Sequence, residues 1–131
     1  MKNESVSKMK RKKNVFRLAV EATPDVSNGF KEGLSAMGKY ASKISVASTI
    51  LIEGSVDIDS CTSIKYPNSN RWDYVFAYKG EVYFVEVHSA NTREVKTVLN
   101  KLKWLKDWLN HHAIEINSLK AKNPFYWIQS K

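Results

Sequence analysis

The stretch WDYVFAYKGEVYFVEVH, residues 72–88, decides how this chain is read. Residues 72–78 and 81–88 are rich in aromatic and β-branched side chains and read as two strands. Lys79-Gly80 reads as the short turn between them. A two-residue turn fixes the register. Tyr78 then faces Glu81, Ala77 faces Val82, Val75 faces Phe84, Asp73 faces Glu86, and Arg71 faces His88. Directly opposed residues share a face of the sheet. One face therefore reads Arg71, Asp73, Val75, Ala77 with Val82, Phe84, Glu86, His88. The other reads Trp72, Tyr74, Phe76, Tyr78 with Glu81, Tyr83, Val85, Val87. Both faces carry apolar residues, so the hairpin is expected to be covered on both sides.

Two opposed carboxylates in such a place are costly, because like charges repel and burial strips their water. Something has to compensate. A divalent cation with a taste for hard oxygen ligands is one answer, Mg²⁺ being the type case. A structural ion pair with Arg71 or a nearby Lys is a second. Exposure at the open end of the hairpin is a third. Asp73 and Glu86 are on this ground the first candidates for a functional site. His88 shares the Glu86 face by the period of two.

Outward from the hairpin, residues 14–22 suit a short helix, ended by Thr23-Pro24-Asp25. A second helix is expected from about Ser27 to Ser42, with Phe30, Leu34, Met37 and Tyr40 on one face. Gly29, Gly33 and Gly38 weaken it. Residues 44–64 have strand character, interrupted at Glu53-Gly54, with Asp57 and Asp59 on one face. That pair could join the metal site, form another, or simply be a solvated strand face. Asn91 or Thr92 starts a long helix to about His112. Val95, Val98, Leu99, Leu102, Leu105 and Leu109 are its expected buried stripe, with Lys96, Lys101, Lys103 and Lys106 on other faces. Residues 120–124 read as a connection and 125–130 as a last strand. His111-His112 read as a basic helix end, and the Trp104 and Trp108 pair as packing.

The chain has 131 residues, with 21 Lys plus Arg against 13 Asp plus Glu. This length suits one domain over residues 14–131, preceded by a basic flexible arm at 1–13. The arm has six bases (Lys2, Lys8, Lys10, Arg11, Lys12, Lys13) against Glu4, so most of the excess charge lies there. It is either a solvated tail or an electrostatic clamp on phosphates. Cys61 is the single cysteine, which excludes an intramolecular disulfide and favours a reducing, cytoplasmic setting. No apolar run is long enough for a membrane span. One Cys and no spaced Cys/His set argue against structural zinc, and no Gly-rich phosphate loop is present.

The element order, helix, three strands, helix, strand, and the Asp73–Glu86 spacing resemble the PD-(D/E)xK nuclease superfamily. The resemblance covers about residues 27–131. It implies an α/β (α+β) chain with a restriction-endonuclease-like αβββαβ core, a mixed sheet flanked by helices. That family places an Asp at the start of the second core strand and a Glu-x-Lys triplet on the third. Asp73 and Glu86 stand at the two acidic positions. His88 stands where the family has Lys, and Trp72 rather than Pro precedes Asp73. Some members, including archaeal-type Holliday junction resolvases, add a Glu from the first helix, and Glu32 is in that place.

What the resemblance implies is metal-assisted hydrolysis of a phosphodiester. Asp73 and Glu86 would hold Mg²⁺ or Mn²⁺, and Glu32 would reach it through water. His88 would orient or deprotonate the attacking water, or serve as a hydrogen-bond donor or metal ligand. Lys8, Lys10, Arg11, Lys12, Lys13 and Arg71 are the candidates for nucleic-acid contact. Two other readings stand beside this one. The chain could be a catalytically inactive nucleic-acid binder, or a protein-interaction module, including a homodimer, on the same fold.

Overall fold

The computed structural model describes residues 14–130. The basic arm and the phosphate contacts expected of it lie outside the described residues. Asn14 caps helix α1 (Val15–Glu21), its side chain accepting from the Arg17 amide. Strand β1 (Ile52–Asp57) follows, then a one-turn helix α2 (Ile58–Thr62), the hairpin β2 (Tyr74–Tyr78) and β3 (Glu81–His88), the long helix α3 (Thr92–His111), a short α4 (Ile114–Asn117) and strand β4 (Lys120–Gln129). The four strands form one mixed sheet in the order β1-β2-β3-β4. The first three are antiparallel, and β4 lies parallel to β3. A parallel neighbour requires a crossover, which α3 provides. Among the described residues no helix is long and apolar enough to cross a membrane.

The hairpin register is the expected one, from Tyr78 against Glu81 to Tyr74 against Val85. Lys79 and Gly80 both have positive φ, 53° and 81°. Positive φ at both central residues marks the turn whose twist matches that of the strands.

The sheet has two differently covered faces. Val75, Ala77, Val82 and Phe84 point toward the helices, where they pack with Phe16 and Val20 of α1 and with Leu105, Trp108 and Leu109 of α3. Phe76 and Val85 point the other way, beneath Met37, Leu34 and Tyr40. Trp72 breaks the expected alternation. It is buried on the helix side, edge-on to Phe125, because the regular strand begins only at Tyr74.

Several expectations fail for physical reasons. The helix over residues 27–42 does not form. Lys31 instead pairs in antiparallel fashion with Ser55 of β1, through bonds of 2.9 and 2.8 Å. Residues Ser35–Lys43 make two 3₁₀ pieces broken at Gly38. Gly33 and Gly38 both adopt left-handed φ, which an α-helix cannot continue through. Of residues 44–64 only Ile52–Asp57 is strand. Asp57 caps α2 by accepting from the Ser60 amide at 2.9 Å. Asp57 and Asp59 therefore do not share a strand face. Strand β4 begins at Lys120, five residues early. It accommodates Pro124 by a register shift on the sheet's edge, where a missing N–H is tolerated.

The stripe of α3 is also rotated from expectation. Val95 and Leu99 are exposed, and the buried line runs through Val98, Leu105, Trp108 and Leu109. Lys101 stands three residues after Val98 and four before Leu105. It therefore lies on the inward face, not on an outer one.

Candidate active site

Glu86 follows Val82 and Phe84 at the period of two, so its side chain enters the space between sheet and α3. It is fully buried. Asp73 precedes β2 and is pinned through its backbone. Its carbonyl accepts from Ile58 and Asp59 at the start of α2, at 2.8 and 3.3 Å. The regular ladder stops at Tyr74–Val85, and side chains continue it. The Asp73 amide donates to Glu86 Oε1 at 3.2 Å, and the Val87 amide donates to Asp73 Oδ2 at 2.9 Å. Each carboxylate thus takes one backbone donor from the other strand, and each leaves one oxygen free.

Both free oxygens meet Lys101. Its Nζ donates to Glu86 Oε2 and lies 3.4 Å from Asp73 Oδ1. The Lys101 side chain is only 14% exposed. His88 stands on the outer side of the same cluster. Its Nδ1 is 3.6 Å from Glu86 Oε2, and its Nε2 is 2.6 Å from Glu94 Oε1 in the first turn of α3.

The electrostatics follow from this packing. Burial raises the Glu86 carboxyl, and the Asp73 charge adds to it. Lys101 and the Asp73 amide pull back, leaving the group at about 7. Burial also raises Asp73, against the Val87 amide and Lys101. Two acids and one ammonium in a confined space leave a site short of positive charge, so a further cation or a proton is favoured there.

The residues expected of the site divide. Asp73, Glu86 and His88 come together. Arg71 does not join them. Its Nε bonds Asp59 at 2.8 Å and its Nη1 bonds the Tyr66 carbonyl at 2.7 Å, so the expected position opposite His88 is not taken up. Glu32 is exposed in the segment that replaced the expected helix. Its carboxylate makes no hydrogen bond or ion pair among the described residues. Lys101 and Glu94 were missed. The signal for Lys101 was a basic residue in register with Val98 and Leu105. A charge on a buried helical face needs partners.

A second acid with a covered side chain, Asp25, was read only as part of a helix-breaking turn. It accepts from Tyr66 Oη at 2.7 Å, Lys65 Nζ at 2.9 Å and Trp108 Nε1 at 3.0 Å. Burial raises its carboxyl, but these three donors together outweigh burial and hold it below the ordinary value. It ties the end of α3 to the turn after α1.

The fit of a divalent cation can be judged from the oxygens. Among the described residues no three His, Cys, Asp or Glu side chains form a ready metal cage. Asp73 Oδ1 and Glu86 Oε2 nevertheless face one point, from the residue before β2 and from β3, now held by an ammonium. Mg²⁺ commonly binds through one or two carboxylates plus substrate oxygens and water, so the pair suits it. No family model, curated protein or solved structure matches the chain.

Proposed function

We propose that the chain is a divalent-metal-dependent phosphodiesterase acting on nucleic acid, a nuclease of the restriction-endonuclease-like type. The observation that carries this reading is Lys101. The strand has His88 where the resemblance calls for Lys, and α3 supplies an ammonium to the same two carboxylates. Asp73, Glu86 and a lysine are thereby assembled from different elements.

Asp73 and Glu86 would hold Mg²⁺ or Mn²⁺. Such a cation, when bound, polarises a phosphate and lowers the pKa of water. Lys101 would give up its place between the carboxylates. From there it would hold negative charge on the phosphate or position the attacking water. Glu94 fixes the His88 ring through Nε2, leaving Nδ1 turned toward Glu86. His88 would orient water from that side.

The test is cleavage of single- and double-stranded DNA and RNA with Mg²⁺ or Mn²⁺. Asp73→Asn, Glu86→Gln and Lys101→Met should each lower the rate by roughly a hundredfold or more, and His88→Ala by less. Far-UV circular dichroism checks that each variant folds. Absence of cleavage by the native chain on every substrate defeats the proposal.

A second reading has its own support. Lys101 fills the point that a cation would take, and among the described residues no third ligand stands ready. The triad would then be a structural ion pair in an inactive binding module. The readings part on Mg²⁺ addition. A resident cation raises the melting temperature by mass action, in a manner abolished by Asp73→Asn. A purely structural triad gives no such rise.

A further inference from the structure

On the face of the sheet turned away from α3 lies a cleft of about 470 Å³. This size falls within the usual range for small-molecule sites. Its floor is aromatic. Phe76 and Tyr83 stack, with ring centroids 5.4 Å apart and planes 21° from parallel, and Tyr126 leans on Tyr83 at 6.1 Å. The opposite wall is the irregular segment of residues 44–47. Tyr78 ties that wall down, its hydroxyl accepting from the Ser48 amide at 3.3 Å.

The rim is charged with one sign. Lys43 and Lys79 line the cleft and are exposed, so their ammonium groups are open to a ligand. Among the described residues no carboxylate lines it. The nearby acids are turned to other work, Glu53 accepting from the Gly80 amide and Glu81 lying beside the Tyr83 hydroxyl. An apolar floor alone would suit a peptide or a second copy of the chain. Stacked rings beneath two unopposed ammonium groups suit a flat ring that carries an anion.

We propose that this cleft binds a nucleotide, with the base laid on Tyr83 and Tyr126 and the phosphate at Lys43 and Lys79. The site lies across the sheet from Asp73, Glu86 and Lys101, and does not depend on the phosphodiesterase reading. A free nucleotide and a single strand offer the same chemistry, and the test separates them.

The experiment titrates the full chain with AMP, with adenosine and with a short adenine oligonucleotide, followed by amide chemical shifts. AMP or the oligonucleotide should move residues 44–47, Phe76 and Tyr83. A response to AMP indicates a free-nucleotide site. A response to the oligonucleotide alone indicates a strand site. Tyr126 is 48% exposed, so its replacement spares the core. Tyr126→Ala should weaken binding on the order of tenfold, and Tyr126→Phe should keep it. Lys43→Ala with Lys79→Ala should weaken AMP to the level of adenosine and leave adenosine unchanged. The proposal is overturned if neither probe moves these residues at millimolar concentration, or if the shifts gather elsewhere. It is equally overturned if Tyr126→Ala leaves affinity intact.

Discussion

At the turn end of the β2–β3 hairpin, Lys79 and Gly80 close the chain through positive φ, with the Gly80 amide donating to Glu53, and aromatic residues pair above them. At the open end, five residues and about 17 Å of strand further on, the ladder is continued by two carboxylates that bond across the hairpin to backbone amides. The turn end is solvated and cheap to alter. The open end concentrates charge around a fully buried carboxylate. The lesson is that one hairpin can be regular in its pairing and still gather uncompensated buried charge at one end, which is where chemistry is possible.

The largest expected effect is at the open end. Lys101→Met removes the one ammonium that, among the described residues, touches both carboxylates, and leaves them facing each other. Breaking one partner out of a buried ionic cluster costs on the order of 3 kcal/mol or more. Urea unfolding at pH 8 should show that loss, and at pH 5 the loss should shrink as Glu86 takes up a proton. An unchanged midpoint at pH 8 would mean that the open end is as tolerant as the turn end.

A smaller effect tests the pH dependence that burial imposes. The Glu86 carboxyl is raised from 4.5 to about 7 in the folded protein. The folded state therefore holds this proton more tightly than the unfolded one. The stability it contributes is complete below about pH 4.5 and is lost as pH rises through 7. The loss is roughly 3 kcal/mol at most. Asp73, raised in the same direction, adds to it. Asp25 acts the opposite way at lower pH. Its carboxyl is lowered, so its contribution is present above its unfolded value and lost as pH falls below it. Glu86→Gln should flatten the decline in stability between pH 4.5 and 7 and leave the acid limb set by Asp25. A decline that persists in full in that variant assigns it to another group.

The hairpin was legible because the period of two and a two-residue turn leave one register, and every pair from Tyr74 to Glu81 follows from it. Asp73, Glu86 and His88 were legible for the same reason. Residues 27–42 were not, and of the strand expected over 44–64 only Ile52–Asp57 is kept. Apolar spacing over 27–42 suggested a helix, but left-handed φ at Gly33 and Gly38 and the pairing of Lys31 with Ser55 override it. Lys101 was hidden because Val95 and Leu99 are also at helical spacing and made a rival stripe. Only the sheet beneath decides which stripe is buried, and it chooses the one that carries a charge.

The smallest effects belong to the turn end and bound the comparison from below. Gly80 has φ of 81°, and a Cβ added there meets nothing within 4 Å. Gly80→Ala therefore pays only the left-handed backbone penalty, about 1 kcal/mol. Lys79 already carries that penalty with φ of 53°. Asn tolerates the left-handed region better and is favoured at the first position of this turn. Lys79→Asn should stabilise the protein by about half a kcal/mol in urea unfolding, with the same slope as the native chain. The slope matters because a shifted register would expose new surface and change it. If Lys79→Asn destabilises instead, the lysine is held by more than the turn. Its ammonium, 5.5 Å from the Tyr78 ring centroid, is then the contact to remove next.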